Sequence, residues 1–140
     1  MAQDLTLGAE DANDLQVLSA RLQDALARVG ELTYLPRSRR FVALFNRYRW
    51  EADDRTRVRS GFFVNDVTAC KAQNILQGAP EAVVSLLAIR FFPAGGEHPG
   101  GEIELVFSGG GAIRLTVECI DAGLTDLSGE WDALRPTHEE

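Results

Sequence analysis

Arg40-Phe41-Val42-Ala43-Leu44-Phe45-Asn46-Arg47-Tyr48-Arg49-Trp50-Glu51 is the longest stretch that reads as a strand, and it decides the class of the fold. Phe41 to Phe45 is apolar on both faces. Beyond it the faces separate with the two-residue period of a strand: Arg47 and Arg49 point one way, Asn46, Tyr48 and Trp50 the other. Glu51 to Thr56 is a polar turn, and Arg57 to Thr68 reads as the returning strand through Phe62, Val64 and Val67. Two such runs around a short turn predict an antiparallel hairpin with arginines at both ends.

Outward from this hairpin, the pattern remains strand-rich. Leu5 and Leu7 alternate with polar neighbours, and Leu32 to Leu35 is short, extended and ended by Pro36. Val83 to Phe92 is an almost uninterrupted apolar run. Glu102 to Phe107 and Ala112 to Val117 are strands joined by a hairpin at Ser108 to Gly111. Helical spacing occurs near each end. Asp11 and Asn13 offer caps before Leu15, Leu18, Leu22, Leu26 and Val29, with Gly30 placed to close the helix. A strand from Leu22 to Val29 competes with the second half of that helix, and both readings stand. Ile120, Leu124, Leu127 and Trp131, spaced four, three and four, predict a C-terminal helix packed on the sheet. The expected architecture is α+β in one domain over residues 1–140. Its antiparallel sheet has six to seven strands curled toward a barrel or roll, with an N-terminal and a C-terminal helix.

Charge is distributed unevenly. The chain of 140 residues has a net charge of −7, yet eight of its 14 basic residues lie between Arg37 and Arg59, and all eight are arginine. Against Glu51, Asp53 and Asp54 they give that segment a local charge of +5, and the rest of the chain carries −12. A long polyanion would be repelled almost everywhere, so duplex DNA is an unfavoured partner. An acidic partner protein or a small anion fits one cationic stripe. Arg40, Arg47, Arg49, Arg57 and Arg59 are the candidate binding residues, since guanidinium groups grip carboxylate and phosphate in pairs. The competing structural explanation is that these arginines pair with the protein's own carboxylates.

Other chemistry is sparse. No basic and apolar leader and no span-length apolar run occurs, so a cytoplasmic, non-membrane protein is expected. Cys70 and Cys119 lack the context of a disulfide framework and read as small packed residues. His98 and His138 lack metal-ligand spacing, so no metal and no cofactor are expected. Gly109-Gly110-Gly111 has no following Lys-Ser and suits a hairpin turn better than a phosphate loop. Asp66, if it faces inward, needs a partner such as Arg57, Arg59 or Arg90.

Several strings taken together resemble a known family. They are Asp14-Leu15 with Ser19 to Ala25, Arg40-Phe41 with Asn46 to Glu51, Leu86 to Ile89, Gly109 to Leu115, and Val117 to Ile120. The chain resembles the bacterial domain of unknown function 2948 over nearly its whole length. That resemblance implies a stand-alone cytoplasmic domain and brings no catalytic residues with it.

Three functions compete. The favoured one is a binding or adaptor module acting through the Arg-rich hairpin. A self-associating domain would form a homodimer through Tyr48, Trp50, Phe62 and Phe63, since aromatic residues and arginine are enriched at interfaces. A small hydrolase would have to draw on Asp66, Glu97 and His98. A non-enzymatic role is favoured over an enzymatic one.

Overall fold

Period-two alternation carries most of this chain into strands. The computed structural model describes residues 6–51 and 56–127. In order these form β1 (Thr6–Ala9), α1 (Ala12–Arg21), β2 (Leu26–Arg28), β3 (Leu32–Leu35), β4 (Arg40–Tyr48), β5 (Arg57–Val64), β6 (Val67–Gln73), β7 (Val83–Pro93), β8 (Gly101–Phe107), β9 (Ala112–Val117) and β10 (Ala122–Asp126). All pairings are antiparallel, in the order β1-β10-β5-β4-β2-β7-β8-β9-β6. β3 pairs with the first half of β4, and β2 meets β4 at Asn46.

This corrects the expected count and layout. The sheet has ten strands rather than six or seven, does not close into a barrel, and carries one helix among the described residues. The helix starts where its cap predicts: the Asp11 side chain accepts from the Asp14 amide at 2.8 Å, and Asp14 accepts in return from the Glu10 amide at 3.0 Å. It stops at Arg21. Asp24 then turns the chain at φ 64°, and its amide donates to the Leu86 carbonyl, while the Leu86 amide donates to Ala25. Backbone pairing with β7 thus captures the segment after Leu22 as a strand, in spite of the helical spacing of Leu22, Leu26 and Val29.

The C-terminal helix is a strand in its described part. Ala122–Asp126 lies between β1 and β5, bonded on both sides, and Trp131 falls outside the described residues. Two-sided burial of the backbone in the sheet overrides the four-three spacing of Ile120, Leu124 and Leu127. The returning strand also ends early. Asp66, at φ 59°, breaks the run after Val64, and the chain re-enters the other half of the sheet as β6.

The core lies on one face of the sheet. Phe41, Ala43 and Phe45 from β4 meet Phe62 and Val64 from β5, Leu124 from β10, and Ile103, Leu105 and Phe107 from β8. Leu15, Leu18 and Leu22 of the helix segment are fully buried against them. β7 is less buried than its apolar run suggests: only Leu86 and Ile89 are fully enclosed, because Val83, Leu87 and Phe92 reach solvent.

The opening in the sheet lies between β3 and β6. The two meet at one end, where the Tyr34 hydroxyl donates to the Val67 carbonyl at 3.3 Å and the Val67 amide donates to the Arg39 carbonyl at 2.9 Å. A β-bulge between Val67 and Ala69 then re-aims β6 along β9, and no strand pairing joins β6 to β3.

Candidate binding face and the buried arginine

Alternation on β4 divides the candidate arginines between two faces. Arg47 shares the parity of Phe41 and Phe45 and is fully buried. Its Nε and Nη2 donate to both oxygens of Asp126 at 3.0 and 2.8 Å. Its Nη1 and Nη2 donate to both oxygens of Glu51 at 3.0 and 2.6 Å. Ser60 Oγ adds a 2.6 Å bond to Asp126, which is itself buried on β10. Burial by itself would lower the Arg47 pKa, but the hydrogen bonds to Glu51 and Asp126 outweigh it and hold the guanidinium above its usual value. The hydrogen bond from Arg47 likewise holds Glu51 below the usual carboxylate range. Arg47 is therefore an internal pin joining β4 to β10, and its charge is not available at the surface. Arg49 lies just past β4, where its amide donates to the Thr56 carbonyl and helps close the hairpin.

The outer face carries the other three. Arg40, Val42, Leu44, Asn46 and Tyr48 alternate with the buried residues of β4, and Arg57, Arg59, Gly61 and Phe63 do the same on β5. The register sets Val42 beside Phe63, Leu44 beside Gly61, Asn46 beside Arg59 and Tyr48 beside Arg57. Arg40 donates to Asn65 Oδ1 at 2.8 Å and lies 5.0 Å over the Phe63 ring. Arg57 donates to the Asn46 carbonyl at 3.1 Å. Arg59 pairs with Glu31 at 3.4 Å. Neither Arg40 nor Arg57 has a carboxylate partner among the described residues.

Beside Arg40 runs a groove of about 510 Å³, with Val42, Leu44, Gly61 and Phe63 along it and Glu31, Thr33 and Thr125 also lining it; Arg57 and Arg59 lie beyond its lining on the same face. Gly123, beside Phe63 on β10, makes room for its ring: a Cβ would lie 2.5 Å from the ring, which would then have to shift. Arg40 and the Asn46–Arg59 pair stand six residues apart on β4, about 20 Å along the strand.

The four aromatic residues proposed for an interface do not form one surface. Phe62 is in the core, edge-on to Phe45. Phe63 belongs to the groove. Tyr48 and Trp50 pack edge to face at 4.7 Å, and Trp50 Nε1 donates to the Gln23 carbonyl.

Asp66 accepts from Cys119 Sγ at 3.3 Å rather than from Arg57, Arg59 or Arg90. That hydrogen bond, with burial, raises the Cys119 thiol pKa. His98 Nδ1 accepts from the Gly100 amide at 2.8 Å, and no hydrogen bond among the described residues joins it to Asp66 or Glu97. His138 lies outside the described residues. Sequence reasoning missed Asp126 and Ser60, the partners of Arg47. The parity of Arg47 with Phe41 and Phe45 was the signal for its burial.

Among the described residues, no helix is long and apolar enough to cross a membrane. A family model described as Protein of unknown function (DUF2948) matches residues 5–138. No curated protein and no solved structure matches the chain.

Proposed function

The chain belongs to the DUF2948 family of proteins of unknown function, and from that premise we propose that it is a binding module engaging an acidic segment of a partner protein along the outer face of β4 and β5. The observation that carries this reading is the placement of Arg40 at one end of the outer face of β4 and β5, beside an apolar groove, and of Arg57 and Arg59 further along the same face, in a chain of net charge −7. Opposite charges steer the encounter, and the apolar centre supplies contact area.

The spacing favours a protein segment over a small anion. A phosphate-sized ligand spans a few ångströms and would reach one end only, whereas about six extended residues cover about 20 Å. Arg40 and Arg57 are held by neutral partners, so their charges remain for an incoming carboxylate. A segment with acidic residues flanking an aliphatic or aromatic side chain would complement the whole face.

A fluorescein-labelled peptide with glutamates on both sides of a Leu-Phe pair, titrated by fluorescence anisotropy, tests the reading. Binding should be saturable, weaken as salt rises, and fall roughly tenfold or more in the Arg40→Glu plus Arg59→Glu double variant. Undiminished affinity in that variant rejects the face. Full displacement of the peptide by an equal concentration of inorganic phosphate rejects the partner class.

A further inference from the structure

A second concavity opens elsewhere, where β3 and β6 fail to pair. It is a cleft of about 400 Å³ lined by Val29, Leu32, Tyr34 and Phe41 on one side and by Cys70, Ala72, Ile75 and Ile113 on the other, with Gln77 also lining it. Its size falls within the range of about 300–1,000 Å³ typical of small-molecule sites.

The opening has a local cause. β3 is only four residues long, and it meets β6 only at Val67. The bulge after Val67 carries β6 to β9, while Asn74, at φ 56°, starts the loop that brings Ile75 and Gln77 into the lining. Phe41 and Ile113, both buried members of the core, also line the cleft.

The lining restricts the chemistry of a ligand that the cleft can take. None of the lining residues is charged, unlike the groove on the outer face, which has Arg40 and Glu31. An ionised ligand would lose its hydration without a compensating partner. Three neutral polar side chains are present, the Tyr34 hydroxyl, the Gln77 amide and the Cys70 thiol. Tyr34 already donates its proton to Val67, so its oxygen faces a ligand as an acceptor, and Gln77 offers both a donor and an acceptor. We infer that this cleft is a binding site for an uncharged, largely apolar small molecule carrying one or two neutral hydrogen-bonding groups. The site is separate from the outer face and does not depend on it.

The test uses the full chain and the neutral fluorescent probe N-phenyl-1-naphthylamine, with the anionic anilinonaphthalene sulfonate as its counterpart. The neutral probe should bind saturably and at least roughly tenfold more tightly than the anionic one. Ala72→Phe, which fills the cleft from an exposed position on β6, should weaken neutral-probe binding by a similar factor. In a Cys119→Ser background, the bound probe should slow alkylation of Cys70 by N-ethylmaleimide, a readout that does not depend on the folding of the filled variant. The inference is overturned by any of three results: no saturable binding, equal binding of both probes, or an alkylation rate unchanged by saturating probe.

Discussion

Arg47 shows how one side chain can belong to a pattern of charge and yet do the work of the core. The two carboxylates it holds come from different parts of the chain: Glu51 lies just past the end of its own strand, and Asp126 lies 79 residues on. Removing the guanidinium takes four hydrogen bonds from two carboxylates, one of them the buried Asp126. Arg47→Ala should therefore lower unfolding free energy by about 3–5 kcal/mol, read from urea denaturation. Arg40→Ala, at the solvent-facing end of the same strand, should cost less than about 1 kcal/mol in the same assay. Glu51 gives the pH dependence. Its folded pKa is depressed by Arg47, so its contribution is present above the unfolded value of 4.5 and is lost as pH falls through the lower folded value. Urea midpoints measured from about pH 7 to about pH 3 should fall more steeply in the wild type than in Glu51→Gln, and parallel acid limbs would remove Glu51 from the network.

Strands, in this protein, are set by partners as much as by their own residues. Ala112 to Val117 and Leu32 to Leu35 have the bounds their alternation predicts. The segments after Leu22 and after Ile120 do not, because their three-four spacing is legible locally while the β7, β1 and β5 backbones that capture them are distant in sequence. The break at Asp66 was hidden for a similar reason: nothing in Arg57 to Thr68 states that the second part pairs with β9. Element junctions are also where packing is tightest. Gly101 begins β8 opposite Pro93, and a Cβ there would lie 2.2 Å from the Phe92 carbonyl oxygen. Backbone cannot yield as a side-chain tip can, so Gly101→Ala should destabilise the β7–β8 hairpin by about 1–3 kcal/mol, seen as a lowered thermal midpoint. An unchanged midpoint would mean the two strands separate more easily than their register indicates.

At the scale of the whole molecule, the antiparallel class and the central hairpin were legible, and the strand count, the open sheet and the strand at Ala122–Asp126 in place of a helix were not. Alternation reports which face a residue occupies, but the order of strands depends on pairings between residues far apart. The candidate site divided along the same line. The clustering of arginine was visible in the sequence, whereas its separation into an interior pin and three residues of the outer face required the register of β4 against β5. That separation places Arg40, Arg57 and Arg59 on the outer face and Arg47 in the core. The long reach from Arg47 to Asp126 also bears on how the protein is made. β10, which comes late in the chain, inserts between β1, the first strand, and β5. A chain emerging from a ribosome would hold its β4–β5 hairpin with a buried cation still short of one carboxylate until those late residues appear. Completion of this half of the sheet, on that account, waits for the synthesis of Ala122–Asp126, and a polypeptide truncated before Ala122 would present β1 and β5 without the strand between them, and Arg47 with Glu51 but not Asp126, to whatever quality-control machinery meets it.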